Sequence, residues 1–317
     1  MRRYLRRRLV QFVPVLLGIS LVTFLIVRLA PGDPAAMLVD TTLLTPAELD
    51  AFRRDLGLDG SVLGQFWTIV TQLATGELHS FRTGQPVLAL LADRVPVTAV
   101  LLGGAILLSV ALGVPMGVYS ARRPGGPLDR GLTIAALGGV SLPGFWFALV
   151  LMWIFAGVLR VLPATGIGPT ARLSYTALDM APYFVLPIIV LASALLPPVV
   201  RYTRSSMLDA LGQDYVRTAR AKGLSETRVL FRHALGNALL PVVTVVGLMV
   251  PVLIGATAVI ESVFAIPGIG RLVVEAAQNR DYPTIMTLNL LTAVVVLASN
   301  LVVDVLYAVL DPRIRLN

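Results

Sequence analysis

The chain has 317 residues, 56% of them apolar and only 14% charged, whereas soluble domains carry about 25% charged residues. That balance argues against a water-soluble enzyme, and the wealth of Leu, Val, Ile and Ala argues against disorder. With no Cys in the sequence, disulfides, thiolate nucleophiles and thiolate metal sites are excluded; the net charge of +8 has to be interpreted from where it sits.

A bilayer core of about 30 Å needs roughly 20 apolar residues in a helix. The N-terminus carries Arg2, Arg3, Arg6, Arg7 and Arg8, followed by a first apolar stretch from Leu9 to Val27. It exceeds the roughly 7–15 residues of a signal-peptide core and is expected to be an uncleaved anchor. Pro31-Gly32-Asp33-Pro34 ends it. Within 31–94, Thr45-Pro46-Ala47-Glu48 predicts a helix start, with Thr as cap, Pro at the first position and Glu at the third. Gly57 is the expected end of that helix.

The second stretch runs from Val95 to Ala121, and the third lies between Arg130 and Arg160. Gly139-Val140-Ser141-Leu142-Pro143-Gly144 leads into the third; its glycines do not fit the G-x-S-x-G of a nucleophile elbow. The fourth runs from Met180 to Val200 and the fifth from Ala234 to Ile260, leaving Glu261 at an outer end expected to be wet. The sixth runs from Tyr282 to Leu310 with one charge, Asp304. None alternates as a barrel strand would, so all are read as helices. The expected fold is an all-α membrane protein with six transmembrane helices.

Loop charge sets the orientation. With the N-terminus in the cytoplasm, segments 1–8, 122–130, 201–233 and 311–317 are cytoplasmic and hold 17 of the 26 basic residues. That is the positive-inside pattern, with both termini cytoplasmic. It accounts for the basic balance without nucleic acid. The expected divisions are 1–30, an extracytoplasmic region 31–94, a five-helix core 95–310 containing the cytoplasmic loop 201–236, and a tail 311–317.

Catalytic constellations are missing from the sequence. The single Lys, Lys222, has no glycine-rich cradle before it, so there is no P-loop. His79 and His233 are far apart, and no H-E-x-x-H pattern occurs. Asn289, Asn300 and Asp304 are spaced by 11 and 4 and share a helix face. They either satisfy one another or a neighbouring helix, or line a pathway.

The loop carries more information. Residues 209–222 predict one helix, with Gly223 just beyond its end. Ser225 is expected to cap a second short helix, with Glu226 in its first turn and Arg232 and His233 in its last. Leu230 and Ala234 share a face, as do Phe231 and Leu235. Such a basic helix–turn–helix could lie on anionic lipid, remain solvated, or dock a cytoplasmic partner.

Arg217-Thr218-Ala219-x-x-x-Gly223 followed by Arg232-His233-Ala234-Leu235 resembles the E-A-A-x-x-x-G-x9-I-x-L-P loop of ABC importer permeases, with the same interval from Gly223 to Leu235. Arg217, Thr218, His233 and Gly236 depart from it. Ala30-Pro31-Gly32-Asp33-Pro34, Asp214 to Leu224, Val263 to Gly270, Arg280-Asp281-Tyr282-Pro283 and Asp311 to Arg315 resemble the B-type permease subunit of dipeptide and oligopeptide importers. Gly76-Glu77-Leu78-His79-Ser80 departs from the family's G-D-L-G-x-S.

The resemblance implies the type I importer permease fold in a bacterial plasma membrane. It implies a C-type second permease subunit, two ATPase subunits that hold ATP and Mg, and an external binding protein, with no catalysis or cofactor in this chain. The same subunit type also imports nickel, glutathione or other small solutes; a stand-alone carrier or channel is the more distant alternative. On this resemblance Arg217, Ala219, Lys222, Gly223, Leu224, Arg228 and Leu235 belong to the ATPase-coupling loop. Phe264, Pro267, Gly268 and Gly270, expected to form a tight turn, are candidates for an outer gate or binding-protein contact. Asn289, Asn300 and Asp304 are candidate pathway residues.

Overall fold

Capping residues, prolines and glycines divide the chain into helices. The computed structural model describes residues 2–29, 35, 45–138, 141–168 and 176–310. The expected Pro31–Pro34 break, residues 139–140 and the 311–317 tail lie outside the described residues. The helices are α1 (Arg2–Leu29), α2 (Pro46–Asp55), α3 (Val62–Thr75), α4 (Val87–Arg122) and α5 (Pro127–Gly138). They continue as α6 (Gly144–Val158), α7 (Ala177–Leu211), α8 (Asp214–Ala221), α9 (Glu226–Val263), α10 (Ile269–Gln278) and α11 (Tyr282–Leu310). No strand occurs among the described residues; the only pairing of that kind is an isolated bridge between His79 and Pro86.

Among the described residues five helices, α1, α4, α7, α9 and α11, are long and apolar enough to cross a membrane. The expected third span is divided into α5 and the shorter α6. Pro143 sits at the N-cap of α6 and has no N–H with which to continue a preceding helix. Residues 152–158 of α6 wind as a π-helix. Large apolar side chains such as Ile26, Leu107 and Val252 stay exposed, as a face turned to lipid or to another subunit requires.

The described residues fall into two compact units, one built from residues up to 98 with 267–297, the other from 99–266 with 298–310. In the first, Thr45 caps α2 reciprocally with Glu48, and Gly57 takes a left-handed φ of 70° just past its end. Phe24, Phe66 and Met286 form one apolar cluster, and Leu78, Val87, Leu91, Ile269, Leu272, Ala276 and Leu288 another. Buried Asp281 binds this unit across a long sequence separation. It accepts from Ser80 Oγ at 2.5 Å, the Phe81 amide at 3.0 Å and Thr284 Oγ1 at 2.7 Å.

In the second unit, glycines let α4 approach α7. A Cβ on Gly104, Gly113 or Gly117 would lie 2.5–2.6 Å from Ile188, Val199 or Thr203 respectively. Apolar lipid supplies little hydrophobic drive between helices, so close backbone approach is the available source of cohesion. Ser109 Oγ adds a bond to the Ala192 carbonyl at 3.1 Å. Between α9 and α11 the same principle meets a proline. Pro251 has no N–H to offer the Gly247 carbonyl one turn earlier, and Ser299 Oγ supplies that bond at 2.9 Å. A Cβ on Gly247 would stand 2.1 Å from Val303 Cγ2.

Gly117→Leu is expected to lower stability by about 1–3 kcal/mol through overpacking. Gly103→Ala, where a Cβ meets nothing within 4 Å, should be neutral or stabilising by up to about 1 kcal/mol. Thermal unfolding of the two variants in detergent tests the contrast; equal melting temperatures would refute the close-packing account.

Candidate functional site: the loop between α7 and α9

The expected helix over 209–222 is two helices in the structure. α7 runs on to Leu211, and a break at Gly212-Gln213 separates it from α8. Gln213 occupies the N-cap without a side-chain capping bond, and Asp214 places a negative charge in the first turn, where the macrodipole favours it.

α8 is closed by a left-handed turn. Gly223 has φ 73°, its amide donates to the Arg220 carbonyl at 2.9 Å, and the Leu224 amide donates to the Ala219 carbonyl at 3.4 Å. These are the two bonds of a Schellman motif, and Gly is the residue that adopts its C′ conformation without a Cβ clash. Leu224 packs against the cluster that contains Ala219, which supplies the apolar contact usual in that motif. Arg220 straddles the turn, with Nε 2.8 Å from Glu226 Oε1; both side chains are well exposed, so the pair contributes little.

The second short helix expected after Ser225 is instead the beginning of the 38-residue α9. Ser225 holds the N-cap position but makes no side-chain cap bond. Residues 229–234 form a π-helical turn that passes directly into the long apolar segment. Arg232 and His233 therefore lie inside a continuous helix, and the expected terminal dipole contact is absent.

One apolar cluster seats the loop. Val118 and Ala121 from α4, Met207 and Ala210 from α7, Val216 and Ala219 from α8, and Val229, Leu230 and Ala234 from α9 are all buried together. Leu235 packs against the same cluster. Of the loop residues singled out in the sequence, Ala219, Leu224 and Leu235 thus face inward. Arg217, Lys222, Gly223 and Arg228 are exposed, with Arg217 paired to Asp214 at 3.2 Å on the outer side. The result is a short helix with an apolar underside fixed to three long helices and a basic, accessible outer side.

A second anchor was not singled out in the sequence. Asp129, at the start of α5, is 5% exposed and accepts four bonds. Arg204 of α7 donates Nε and Nη2 to its two oxygens, each at 2.8 Å. The Gly125 amide donates at 2.8 Å, and Ser120 Oγ donates as well. The Arg204 bonds above all, then those from Ser120 and Gly125, hold the carboxyl well below the usual carboxylate range. The only sequence signal is an acid shortly after the Pro124-Gly125-Gly126-Pro127 turn, which does not name Arg204 as its partner.

The outer segment departs from the expected turn chemistry. The reversal after α9 is made by Ala265 at φ 53°, while Gly268 and Gly270 have no positive φ. Gly268 is the N-cap of α10, and Gly270 is buried in its first turn. The Ile266 amide donates to the Glu261 carbonyl at 2.8 Å. Phe264 and Ile266 are 2% and 0% exposed. Glu261 is itself fully buried, which overturns the expectation of a wet side chain: the left-handed reversal folds Ile266 back over the helix end. Pro267 is half-buried.

The three polar residues singled out on α11 all lie on one continuous helix. Asn289 is exposed, with its Nδ2 3.5 Å from Thr23 Oγ1. Asn300 is exposed and Asp304 half-buried. Asn289 belongs to the first unit and the other two to the second.

The family model described as "Binding-protein-dependent transport system inner membrane component" matches residues 113–316, and its N-terminal companion matches residues 1–102. This chain belongs to that family. It is 40% identical to the oligopeptide transport system permease protein AppB of Bacillus subtilis, over 99% of this chain and 100% of the relative. It is 38% identical to the di/tripeptide transport system permease protein DppB of Pseudomonas aeruginosa, over 99% of each. Among solved structures, the MetNI methionine ABC transporter in inward-facing conformations matches with a TM-score of 0.56 at 18% identity, over 72% of this chain and 99% of that one. The chain is therefore a multi-pass permease component of an ABC importer with the type I fold, and its relatives are peptide permeases.

Two variants test the site. Gly223→Pro removes the Arg220 bond and forbids the positive φ, so transport is expected to be lost while membrane insertion and ATP hydrolysis by the assembled complex persist. Gly223→Ala, which meets no neighbour within 4 Å, should cost only about 1–2 kcal/mol. Normal uptake by well-expressed Gly223→Pro would refute the role of the turn. Asp129→Asn should destabilise by about 2–3 kcal/mol near neutral pH, below the full value of a buried pair because Arg204 is partly exposed. The folded carboxyl titrates below its unfolded value of about 4, so its contribution is complete above that pH and is lost as pH falls toward the folded value. The stability gap between wild type and Asp129→Asn, followed by thermal unfolding against pH, should narrow in acid.

Proposed function

We propose that this chain is the B-type permease subunit of a bacterial peptide importer. It would pair with a C-type permease subunit in the plasma (inner) membrane. Di- or oligopeptides delivered by an external binding protein would pass between the two, by alternating access driven by ATP and Mg in two partner ATPase subunits. The observation that carries the reading is the seated, outward-facing α8 in a chain whose full length aligns with peptide permeases. ATP can bias a membrane equilibrium only by favouring one arrangement, and a helix fixed to α4, α7 and α9 can transmit that bias as rigid-body motion.

In this reading Arg217, Lys222 and Arg228 meet acidic groups on an ATPase, and Gly223 sets the bend between α8 and α9. Ala219, Leu224 and Leu235 hold the helix to its seat. Phe264, Pro267, Gly268 and Gly270 contribute to an outer gate or binding-protein contact, and Asn289, Asn300 and Asp304 are pathway polar residues.

Co-reconstitution with the second permease, the ATPases and the binding protein should give peptide uptake that requires ATP and every component, and the purified chain alone should give none. Uptake by the chain alone would refute the reading.

A further inference from the structure

A cavity of about 670 Å³ opens between α5 and α7. Its two ends differ in chemistry. Asp129, Arg130, Arg201 and Arg204 line one end. Ile134, Leu137, Ala194, Pro197 and Pro198 line the rest, with Thr133 as a polar exception.

The charge at the first end does not cancel. Asp129 is committed to Arg204, Gly125 and Ser120. Arg130 and Arg201 are exposed, and among the described residues neither takes part in an ion pair. Arg201 only approaches the ring of Tyr202, at 5.4 Å. Two uncompensated guanidinium groups therefore stand at the mouth of an apolar trough.

We infer that this trough binds an anionic phospholipid, its phosphate held by Arg130 and Arg201 and an acyl chain lying against Ile134, Leu137 and the two prolines. In the orientation favoured by loop charge, the arginines lie at the cytoplasmic surface and the apolar lining points into the inner leaflet, where such a lipid resides. An acyl chain needs no hydrogen bonds. A peptide in the same trough would leave most of its amides facing apolar side chains, with Thr133 as the one hydroxyl beyond the charged end, and Pro197 and Pro198 have no N–H. Arginine also suits a phosphate through paired N–H donors.

Native mass spectrometry of the detergent-purified full chain, titrated with phosphatidylglycerol and with phosphatidylcholine, tests this. Phosphatidylglycerol should bind more tightly. Each of Arg130→Gln and Arg201→Gln should weaken it about fivefold, and the pair about twentyfold, while the Arg→Lys pair should retain most of the preference. Ala194→Trp, which fills the trough and leaves both charges in place, should weaken both lipids. Unchanged phosphatidylglycerol affinity in the Arg→Gln pair would overturn the assignment, as would undiminished binding in Ala194→Trp. So would efficient crosslinking of Leu137→Cys to the second permease in the assembled transporter, since the trough would then be a subunit contact.

Discussion

Close approach of α4 to α7 is the contact on which the rest of the second unit depends. Inside a bilayer, lipid tails are as apolar as Leu, so two helices gain by touching only if their surfaces fit. Gly104, Gly113 and Gly117 leave the space that Ile188, Val199 and Thr203 occupy. Once α7 is held there, its last turns bring Met207 and Ala210 beside Val118 and Ala121 of α4. That surface is the seat on which Val216 and Ala219 bury α8. A loop helix of eight residues is too short to persist alone in water; its order comes from the seat.

Electrostatics reinforces the same seat from the side. The Asp129–Arg204 pair joins the turn before α5 to the end of α7 with two parallel bonds and two further donors. A carboxylate satisfied in this way tolerates burial that would otherwise carry a heavy desolvation cost. The first unit uses the same device with neutral donors, where Ser80, Phe81 and Thr284 surround Asp281. In both, an acid beside a helix start gathers donors from distant segments.

Much of the local structure was legible because it rests on residues close in sequence. Thr45 and Glu48 announce their capping box within four positions, and Gly223 announces the left-handed stop that α8 requires. Apolar length located the five long helices, though α1, α4 and α9 begin seven or eight residues before the apolar stretch and α7 ends eleven residues after it. Where sequence reasoning failed, the cause was generally a contact with something distant or a backbone choice without a local marker. Ala265 takes a conformation usually left to Gly, so the reversal was expected at Gly268 and Gly270. Glu261 was expected in water because nothing nearby in sequence shows that Ile266 folds back over it. The break at Gly212-Gln213 was hidden within a run that is helical on either side.

The sequence by itself determined that this protein lives in a membrane, that its helices are apolar and long, and that a glycine-stopped basic loop stands on the arginine-rich side. These properties depend on composition, length and spacing, which a chain carries before it folds. Only the tertiary structure decided which side of that loop faces inward, which glycines are contact points, and that Arg204 is the partner of Asp129, 75 positions away. Such pairings depend on which surfaces meet, and helices of similar apolar composition carry no local record of their neighbours.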